Sequence, residues 1–343
     1  MSRLTTFSRF LITLAIVACV FFIGRKFLPQ VKEIVGSKDN TEQTNDNTST
    51  ADSKTDNNTT TTTTTTTNGG NETRPAFNYT ATPPNNGKLK GVVELGATGF
   101  NSFIARIDFA KNWKLEKAEY GYSLVNEKMS SEDDIKKGLK EYIANMLAFG
   151  VNGKDIHFVI SSGAKKVETT DKIIKVLAAM GYVVNSVTAE QEGKLGLKCV
   201  LPKEFYNNSF VTDIGSGNTK ISWMSGGNSS SLESFGSKYF QNNTPDNEVF
   251  SEVKGLAKQI PVSNRKTCFI IGGVPFKLAK EVRSPQKERY SVLKSPAGYN
   301  PQDAQVKSGV NIYKAIQEAT GCSQFVFDWD ANFTIGYLLN LPY

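Results

Sequence analysis

The sequence predicts an α/β fold in two lobes, on the evidence of its strand and helix pattern and of its length. From Lys88 onward, apolar strand-like runs alternate with helical patterns such as the amphipathic stretch Ser131–Phe149. Alternating strands and helices are typical of an α/β protein, here with a largely mixed sheet. The chain has 343 residues, and ~100–200 residues per domain is usual. We therefore expect two compact domains with additional segments.

The N-terminal residues 1–35 contain a candidate membrane segment. Phe10–Gly24 is an uncharged apolar run with basic residues on both sides. A spanning helix needs about 20 apolar residues, which the adjoining Phe27 and Leu28 supply when the basic side chains snorkel. The favoured interpretation is a single-pass membrane anchor; a cleaved signal peptide and a lipoprotein signal ending at Cys19 are the alternatives. Because both flanks are basic, the side of the membrane that holds the folded body stays open.

Residues 36–87 are predicted to be a disordered linker. The segment is rich in Asn, Thr, Asp and Ser and includes the unbroken run Thr59–Thr67. Such a composition buries too little apolar surface to offset the entropy lost on ordering. The folded body is therefore expected to begin at about Lys88.

Charge and cysteine content restrict the ligand classes. The formal net charge is +7, but Lys and Arg are spread along the chain without the blocks typical of nucleic-acid binding. A solvated basic surface and a polyanionic ligand both fit this distribution, and no nucleic-acid partner is expected. The four cysteines match neither a zinc pattern nor a disulfide framework. A bound metal would therefore be a hard cation held by oxygen ligands.

Two segments share one pattern, an apolar strand, an acidic residue, a small-residue turn and a second strand. They are Gly91–Arg106, with Glu94, and Phe210–Trp223, with Asp213. Glycines in such a turn let backbone N–H groups approach an anion, and Ser, Thr and Asn side chains add donors. The acidic residue can hold a divalent cation or orient water. Two such hairpins, one opening each lobe, indicate a phosphate-binding cleft.

A third segment, Thr267–Ala279, is a strand that runs through Gly272 and Gly273 into a helix. Glycines at such a junction allow close approach of a nucleotide base or ribose, or they cap the strand. The segment alone does not separate these roles.

In their order, the three segments resemble the phosphate-1, phosphate-2 and adenosine segments of the fold shared by actin, hexokinase and the heat-shock chaperone ATPases. The stretch Val187–Leu197 resembles a family segment of the form S/T-x-E-x-E-[AG]-[RK]-L, and DIGSGNTK resembles DIGGGSTE. SFGSKYF resembles the turn that follows. On these motifs the chain resembles a divergent, membrane-tethered member of the exopolyphosphatase/guanosine pentaphosphate phosphohydrolase family. The resemblance implies a two-lobed actin/hexokinase-like (ribonuclease H-like) fold, with lobes at 88–205 and 206–343.

The resemblance also implies a mechanism, hydrolysis of a phosphoanhydride between the lobes with Mg²⁺ as cofactor. Glu192, or less favourably Glu190, would be the catalytic acid near the metal or the attacking water, and Glu94 and Asp213 would bind the metal. Gly272 and Gly273 would contact a nucleotide. The phosphate-binding positions would be Gly96, Thr98, Asn101, Ser102, Gly215, Ser216, Gly217, Asn218 and Thr219.

Several positions depart from the family pattern. Glu94 stands where the family has Asp, and Lys220 stands where DIGGGSTE ends in Glu. Lys166 falls where many members carry an acid, so a general base would be lost while Lys165 and Lys166 keep the cleft electropositive. Acids also favour the first turn of a helix, which offers a purely structural role for Glu190 and Glu192.

Three functions therefore remain open. The first is a Mg²⁺-dependent hydrolase of polyphosphate or guanosine polyphosphates. The second is a catalytically weak or inactive sensor or scaffold that binds nucleotide or polyphosphate at the membrane. The third is a polymerising actin-like ATPase. The expected partners are a phosphate ligand and the membrane, and a homodimer stays open.

Overall fold

The structure, a computed structural model, describes residues 76–96, 99–120, 132–166 and 169–343. The predicted membrane segment at 1–35 and most of the predicted linker lie outside these ranges. Within them, no helix has both the length and the hydropathy needed to cross a bilayer.

The first lobe is built on a five-stranded mixed sheet in the order β3-β2-β1-β4-β5. β1 pairs antiparallel with β2 and parallel with β4. Its strands are β1 Lys88–Gly96, β2 Gly99–Ile107, β3 Trp113–Tyr120, β4 Ile156–Ile160 and β5 Val184–Ser186. Its helices are α1 Glu132–Phe149 and α2 Thr169–Ala179, followed by α3 Ala189–Val200.

The second lobe repeats this arrangement on a six-stranded sheet in the order β10-β11-β9-β6-β7-β8. Its strands are β6 Ser209–Ile214, β7 Asn218–Ser225, β8 Asn228–Phe235, β9 Thr267–Ile271, β10 Tyr290–Val292 and β11 Gln324–Asp328. Its helices are α4 Asp246–Ala257, α5 Gly273–Lys280, α6 Ala304–Thr320 and α7 Phe333–Asn340. The prediction of a two-lobed α/β fold with mixed sheets is confirmed.

The amphipathic stretch around α1 forms a helix whose buried face differs from the predicted spacing at one position. Ile135, Leu139 and Ile143 are buried, but Leu147 is 48% exposed and Met146 is buried instead. At 3.6 residues per turn, each four-residue step rotates the side chain by about 40°. After three steps Leu147 has left the buried face.

A shared apolar core joins the two lobes. It combines Val92 of the first sheet with Phe269 of the second, and α3 and α7 supply further members. The two helices cross closely, because a Cβ at Gly336 of α7 would lie 1.9 Å from the carbonyl oxygen of Leu195 in α3. α7 also packs against β1. The helix α7 therefore packs against the first lobe and helps to hold the two lobes together.

Residues 76–87, at the end of the predicted linker, lie along the folded body. The ring of Phe77 packs against those of Phe205, Phe269 and Tyr290 at centroid distances of 5.7, 5.6 and 5.4 Å. The sequence gives no sign of this contact, because the segment follows a low-complexity stretch and an isolated aromatic residue produces no periodic pattern.

Truncating Phe77 to alanine is expected to lower the free energy of unfolding by about 2–3 kcal/mol, because a partly buried aromatic side chain would leave the shared core. Urea unfolding of the full-length protein measures the change. Val262→Ala is the control, because Val262 is 80% exposed. Equal stability of Phe77→Ala and the control would contradict a packing role for Phe77.

Candidate functional site

A cleft of about 570 Å³ lies between the ends of the two sheets. It is lined by both hairpins, by the start of α3 and by the junction of β9 and α5. Of the predicted site residues, it brings together Glu94, Gly96, Asn101, Glu192, Asp213, Gly215, Ser216, Gly217, Asn218, Gly272 and Gly273.

Three of the predicted site residues that the structure describes do not line this cleft. Ser102 and Thr219 are buried at 5% and 0% exposure, each next to a strand residue that faces the cleft. Successive side chains of a strand point to opposite faces, so Asn101 and Asn218 occupy the cleft while their neighbours turn away. Glu190 points to solvent and pairs with Lys194 at 2.6 Å. Thr98 lies outside the described residues.

The turn of the second hairpin is held rigidly by backbone hydrogen bonds. The N–H of Gly215 donates to the carbonyl of Asn218 at 3.1 Å, and the N–H of Ser237 donates to the carbonyl of Gly215 at 2.9 Å. The N–H of Lys238 donates to the carbonyl of Ser216 at 3.0 Å. A turn fixed in this way is preorganised to bind an anion with little further loss of entropy.

Gly272 closes the cleft on the side of the second lobe. Its φ is +108°, and a Cβ there would lie 2.4 Å from the carbonyl oxygen of Ile214 and 2.7 Å from Oδ1 of Asp213. The residue therefore lets the strand end and the start of α5 lie directly against Asp213. Only glycine satisfies both conditions.

Glu192 occupies the floor of the cleft with both carboxylate oxygens engaged. The N–H and hydroxyl of Ser162 donate to Oε2 at 2.9 and 2.5 Å, and Lys220 Nζ donates to Oε1 at 2.5 Å. Asn218 Nδ2 in turn donates to Ser162 Oγ at 2.9 Å. The capping box formed by Thr188 and Gln191 begins α3 at the position that directs Glu192 inward.

Glu94 lies at the same end of the cleft as Glu192, and its pKa is raised. Burial raises the pKa of Glu94 to about 7, against the side-chain amides of Asn101 and Asn332, which favour the charged form. Both amides donate to Oε2, at 3.1 and 3.0 Å. Asp213 likewise has a raised pKa, because burial outweighs the attraction of Lys220.

Glu94→Gln is expected to change how stability depends on pH. In the wild type the unfolded chain loses this proton near pH 4.5 and the folded chain near 7, so stability falls as pH rises between them. With ~1.4 kcal/mol per pKa unit, the variant gains up to about 3 kcal/mol relative to wild type between pH 4.5 and 8.

Urea unfolding across this pH range measures the effect of Glu94→Gln. Glu248→Gln is the control, since Glu248 is exposed and outside the cleft. A pH profile for Glu94→Gln that runs parallel to the wild-type profile would contradict the raised pKa.

Solved structures of Ppx/GppA proteins are similar to this chain. A PPX-GPPA enzyme from Aquifex aeolicus matches with a TM-score of 0.59 at 18% identity, over 74% of this chain and 99% of that chain. An exopolyphosphatase from Cytophaga hutchinsonii matches with a TM-score of 0.56 at 14% identity, over 73% and 96% of the two chains. The chain has the Ppx/GppA fold. No family model and no curated protein sequence matches it.

The Ppx/GppA fold agrees with the family resemblance that the hairpin motifs indicated. A third match, an exopolyphosphatase-like protein, has a TM-score of 0.55 at 12% identity and is covered over 98% of its length. At these low sequence identities the structural similarity shows the fold alone. The roles of individual residues must be argued from this chain's own geometry.

Lys220 is the position at which that geometry departs most from the family pattern. Its side chain is 4% exposed, and its ammonium lies 3.9 Å from Asp213 Oδ2 in addition to the contact with Glu192. Burial lowers the pKa of Lys220, but attraction from Asp213 and Glu192 outweighs it, so the net shift is upward. The lysine therefore stays charged at the bottom of the cleft.

Mg²⁺, the cofactor that the family resemblance implies, does not fit these residues. The carboxylates of Glu94, Asp213 and Glu192 converge on the same end of the cleft, but the ammonium of Lys220 lies among them. Both oxygens of Glu192 already accept hydrogen bonds. In the described residues, no cluster of three or more His, Cys, Asp or Glu side chains is arranged to hold a metal.

The other lysines expected near the cleft are not part of its lining. Lys165 is exposed and absent from the lining residues, so it does not make the cleft electropositive. The side chain of Lys166 lies outside the described residues. Among the side chains that the structure describes, the cations that line the cleft are instead Lys220 and Lys280.

Sequence analysis missed an aromatic wall of the cleft, formed by Phe276 and Trp329. The rings of Phe276 and Trp329 lie 5.6 Å apart, and the guanidinium of Arg283 stacks 3.7 Å from the centroid of Trp329. Lys280 Nζ lies 4.4 Å from the centroid of Phe276. These faces are flat and apolar, as a nucleotide base requires. Their spread over α5 and the end of β11 left no local motif to find.

Proposed function

We propose that the cleft binds the phosphate chain of a nucleotide or of inorganic polyphosphate, and that this binding occurs with little or no hydrolysis. The turn Gly215–Asn218, held by backbone hydrogen bonds, lines the cleft, and Gly96 and Asn101 line it from the first lobe. The matched structures are described as exopolyphosphatases or Ppx/GppA enzymes, which supports a phosphate-chain ligand for this cleft.

The observation that carries the proposal is the buried ion pair of Glu192 with Lys220. A carboxylate that activates water needs an oxygen free to take the proton. In Glu192 one oxygen accepts from Lys220 and the other from Ser162. The pair therefore holds Glu192 in a structural role and leaves the phosphate-binding turns intact.

A phosphoanhydride hydrolase is the second candidate, and Glu94 favours it. Its hydrogen bonds from Asn101 and Asn332 both fall on Oε2, and a pKa of about 7 suits a general base at neutral pH. In this alternative Glu94, in place of Glu192, would orient the attacking water. Phosphate release distinguishes the two candidates.

Titration calorimetry of the full-length protein with inorganic triphosphate, guanosine pentaphosphate and ATP tests the binding proposal. Gly217→Val should weaken binding at least about tenfold, because a Cβ at Gly217 already approaches Gly163 Cα at 3.7 Å and a larger side chain fills the gap. Gly255→Val is the control, as nothing lies within 4 Å of its added Cβ. No binding of any ligand, or equal binding by both variants, would reject the proposal.

The membrane anchor at 1–35 remains a proposal, supported by the apolar run Phe10–Gly24. The full-length protein should remain in the membrane pellet after alkaline extraction, and a chain without residues 1–35 should not. A homodimer or a polymerising assembly also stays open, and concentration-dependent sedimentation would detect either.

A further inference from the structure

At the floor of the cleft, acidic side chains are grouped around one ammonium, that of Lys220. Three carboxylates act on its charge: Glu192 on α3 by direct contact, Asp213 on β6 from 3.9 Å, and Glu94 on β1 at longer range. The neutral groups Ser162 and Asn218 complete the set through their hydrogen bonds. A carboxylate cluster of this kind normally neutralises a bound divalent cation. Here the neutralising charge is part of the chain.

We propose that Lys220 occupies the place of the divalent cation, so that this cleft binds a phosphate chain without a metal. The inference rests on the proposed function, in which the cleft binds such a chain. It concerns what supplies the positive charge there. The polypeptide then carries permanently a charge that a metal-dependent relative must recruit.

The position of Lys220 Nζ suits this role. A Cβ built at Gly215 would lie 3.9 Å from Nζ, which places the ammonium beside the phosphate-binding turn. An ammonium has three donors. One donates to Glu192, and Asp213 Oδ2 at 3.9 Å is too far for a hydrogen bond. Donors therefore remain for a ligand oxygen, and lysine binds phosphate as a point charge.

The same ammonium excludes a metal from this end of the cleft. A divalent cation coordinated by Asp213 would lie close to a like charge in a poorly solvated site, where repulsion is strong. Glu192 is already paired with Lys220, and both of its oxygens accept hydrogen bonds. Replacing the lysine at residue 220 by a glutamate removes the repulsion and supplies another carboxylate. This change should create a metal site.

Titration of Mg²⁺ alone into the full-length protein tests the exclusion. We expect the wild type to show no saturable binding and no change in melting temperature. Lys220→Glu should bind Mg²⁺ at a ratio near one to one, with a melting temperature that rises by several degrees. Lys258→Glu makes the same charge change at an exposed position and should behave as the wild type.

Titration with inorganic triphosphate in EDTA tests whether the wild type binds a phosphate chain without a metal. This test needs no variant and so does not depend on how well a variant folds. The apparent Kd in EDTA should lie within about threefold of that in Mg²⁺. Binding that requires Mg²⁺, or saturable binding of Mg²⁺ by the wild type that Glu192→Gln abolishes, would overturn the inference and leave the proposed function standing. Failure of triphosphate to bind in either buffer would reject the proposed function and, with it, this inference.

Discussion

Replacing Lys220 by methionine is expected to lower the free energy of unfolding by about 3–5 kcal/mol at neutral pH, the usual cost of removing one partner of a buried ion pair. The side chains of Lys220 and Glu192 are each 4% exposed. Without the ammonium, Glu192 is left charged and buried near Asp213 and Glu94, and solvent does not reach it to compensate. Urea unfolding of the full-length protein at pH 7 measures the loss.

A double-mutant cycle isolates the pair. Lys220→Met combined with Glu192→Met should regain part of the lost stability, because two apolar side chains of similar volume no longer leave Glu192 as an unpaired buried charge. Lys258→Met, at an exposed position, is the matched control and should stay within about 0.5 kcal/mol of wild type. A Lys220→Met variant as stable as this control would show that the ion pair does not hold the floor of the cleft.

Gly272→Ala is expected to destabilise the protein by about 3 kcal/mol, combining backbone strain with overpacking. The φ of +108° disfavours any side chain, and the added Cβ would lie 2.4 Å from a backbone oxygen of Ile214. The closest atoms belong to the Ile214 backbone, which cannot move aside as the end of a flexible side chain can. The start of α5 would shift away from Asp213, and affinity for triphosphate should fall as well.

Gly273→Ala is the matched control for this change. The neighbouring glycine begins α5, and nothing lies within 4 Å of its added Cβ. Alanine there should be neutral or slightly stabilising, since it favours the helix. Thermal unfolding and triphosphate titration of both variants measure the difference. Equal effects of the two substitutions would contradict the close packing assigned to Gly272.

The sequence predicted the two hairpins and their place in the cleft, because strand, turn and glycine signals are local. It also marked Lys220 as a departure from the family pattern. The partner of Lys220 was not predictable, because Glu192 lies 28 residues away and only the fold brings the two together. Sequence analysis therefore assigned Glu192 a catalytic role that the ion pair does not favour.

The geometry of a strand alone could have reduced the number of predicted phosphate-binding residues. Asn101 and Ser102 are consecutive on a strand, as are Asn218 and Thr219. Since a strand alternates its faces, only one member of each pair can face the cleft. The contact of Phe77 with the body and the aromatic wall at Trp329 could not have been found in this way, because both depend on packing between segments distant in sequence.

The most direct measurement is phosphate release by the full-length protein from polyphosphate and guanosine pentaphosphate, with Mg²⁺ and at ligand concentrations that saturate the cleft. Glu192→Gln and a protein-free sample serve as controls. We predict that the ligand is bound and that release by the wild type exceeds neither release by Glu192→Gln nor release in the protein-free sample; release by both proteins above the protein-free level would indicate a hydrolase that does not use Glu192. Sustained multiple-turnover release that Glu192→Gln abolishes would contradict the structural role of the Glu192–Lys220 pair and establish a hydrolase.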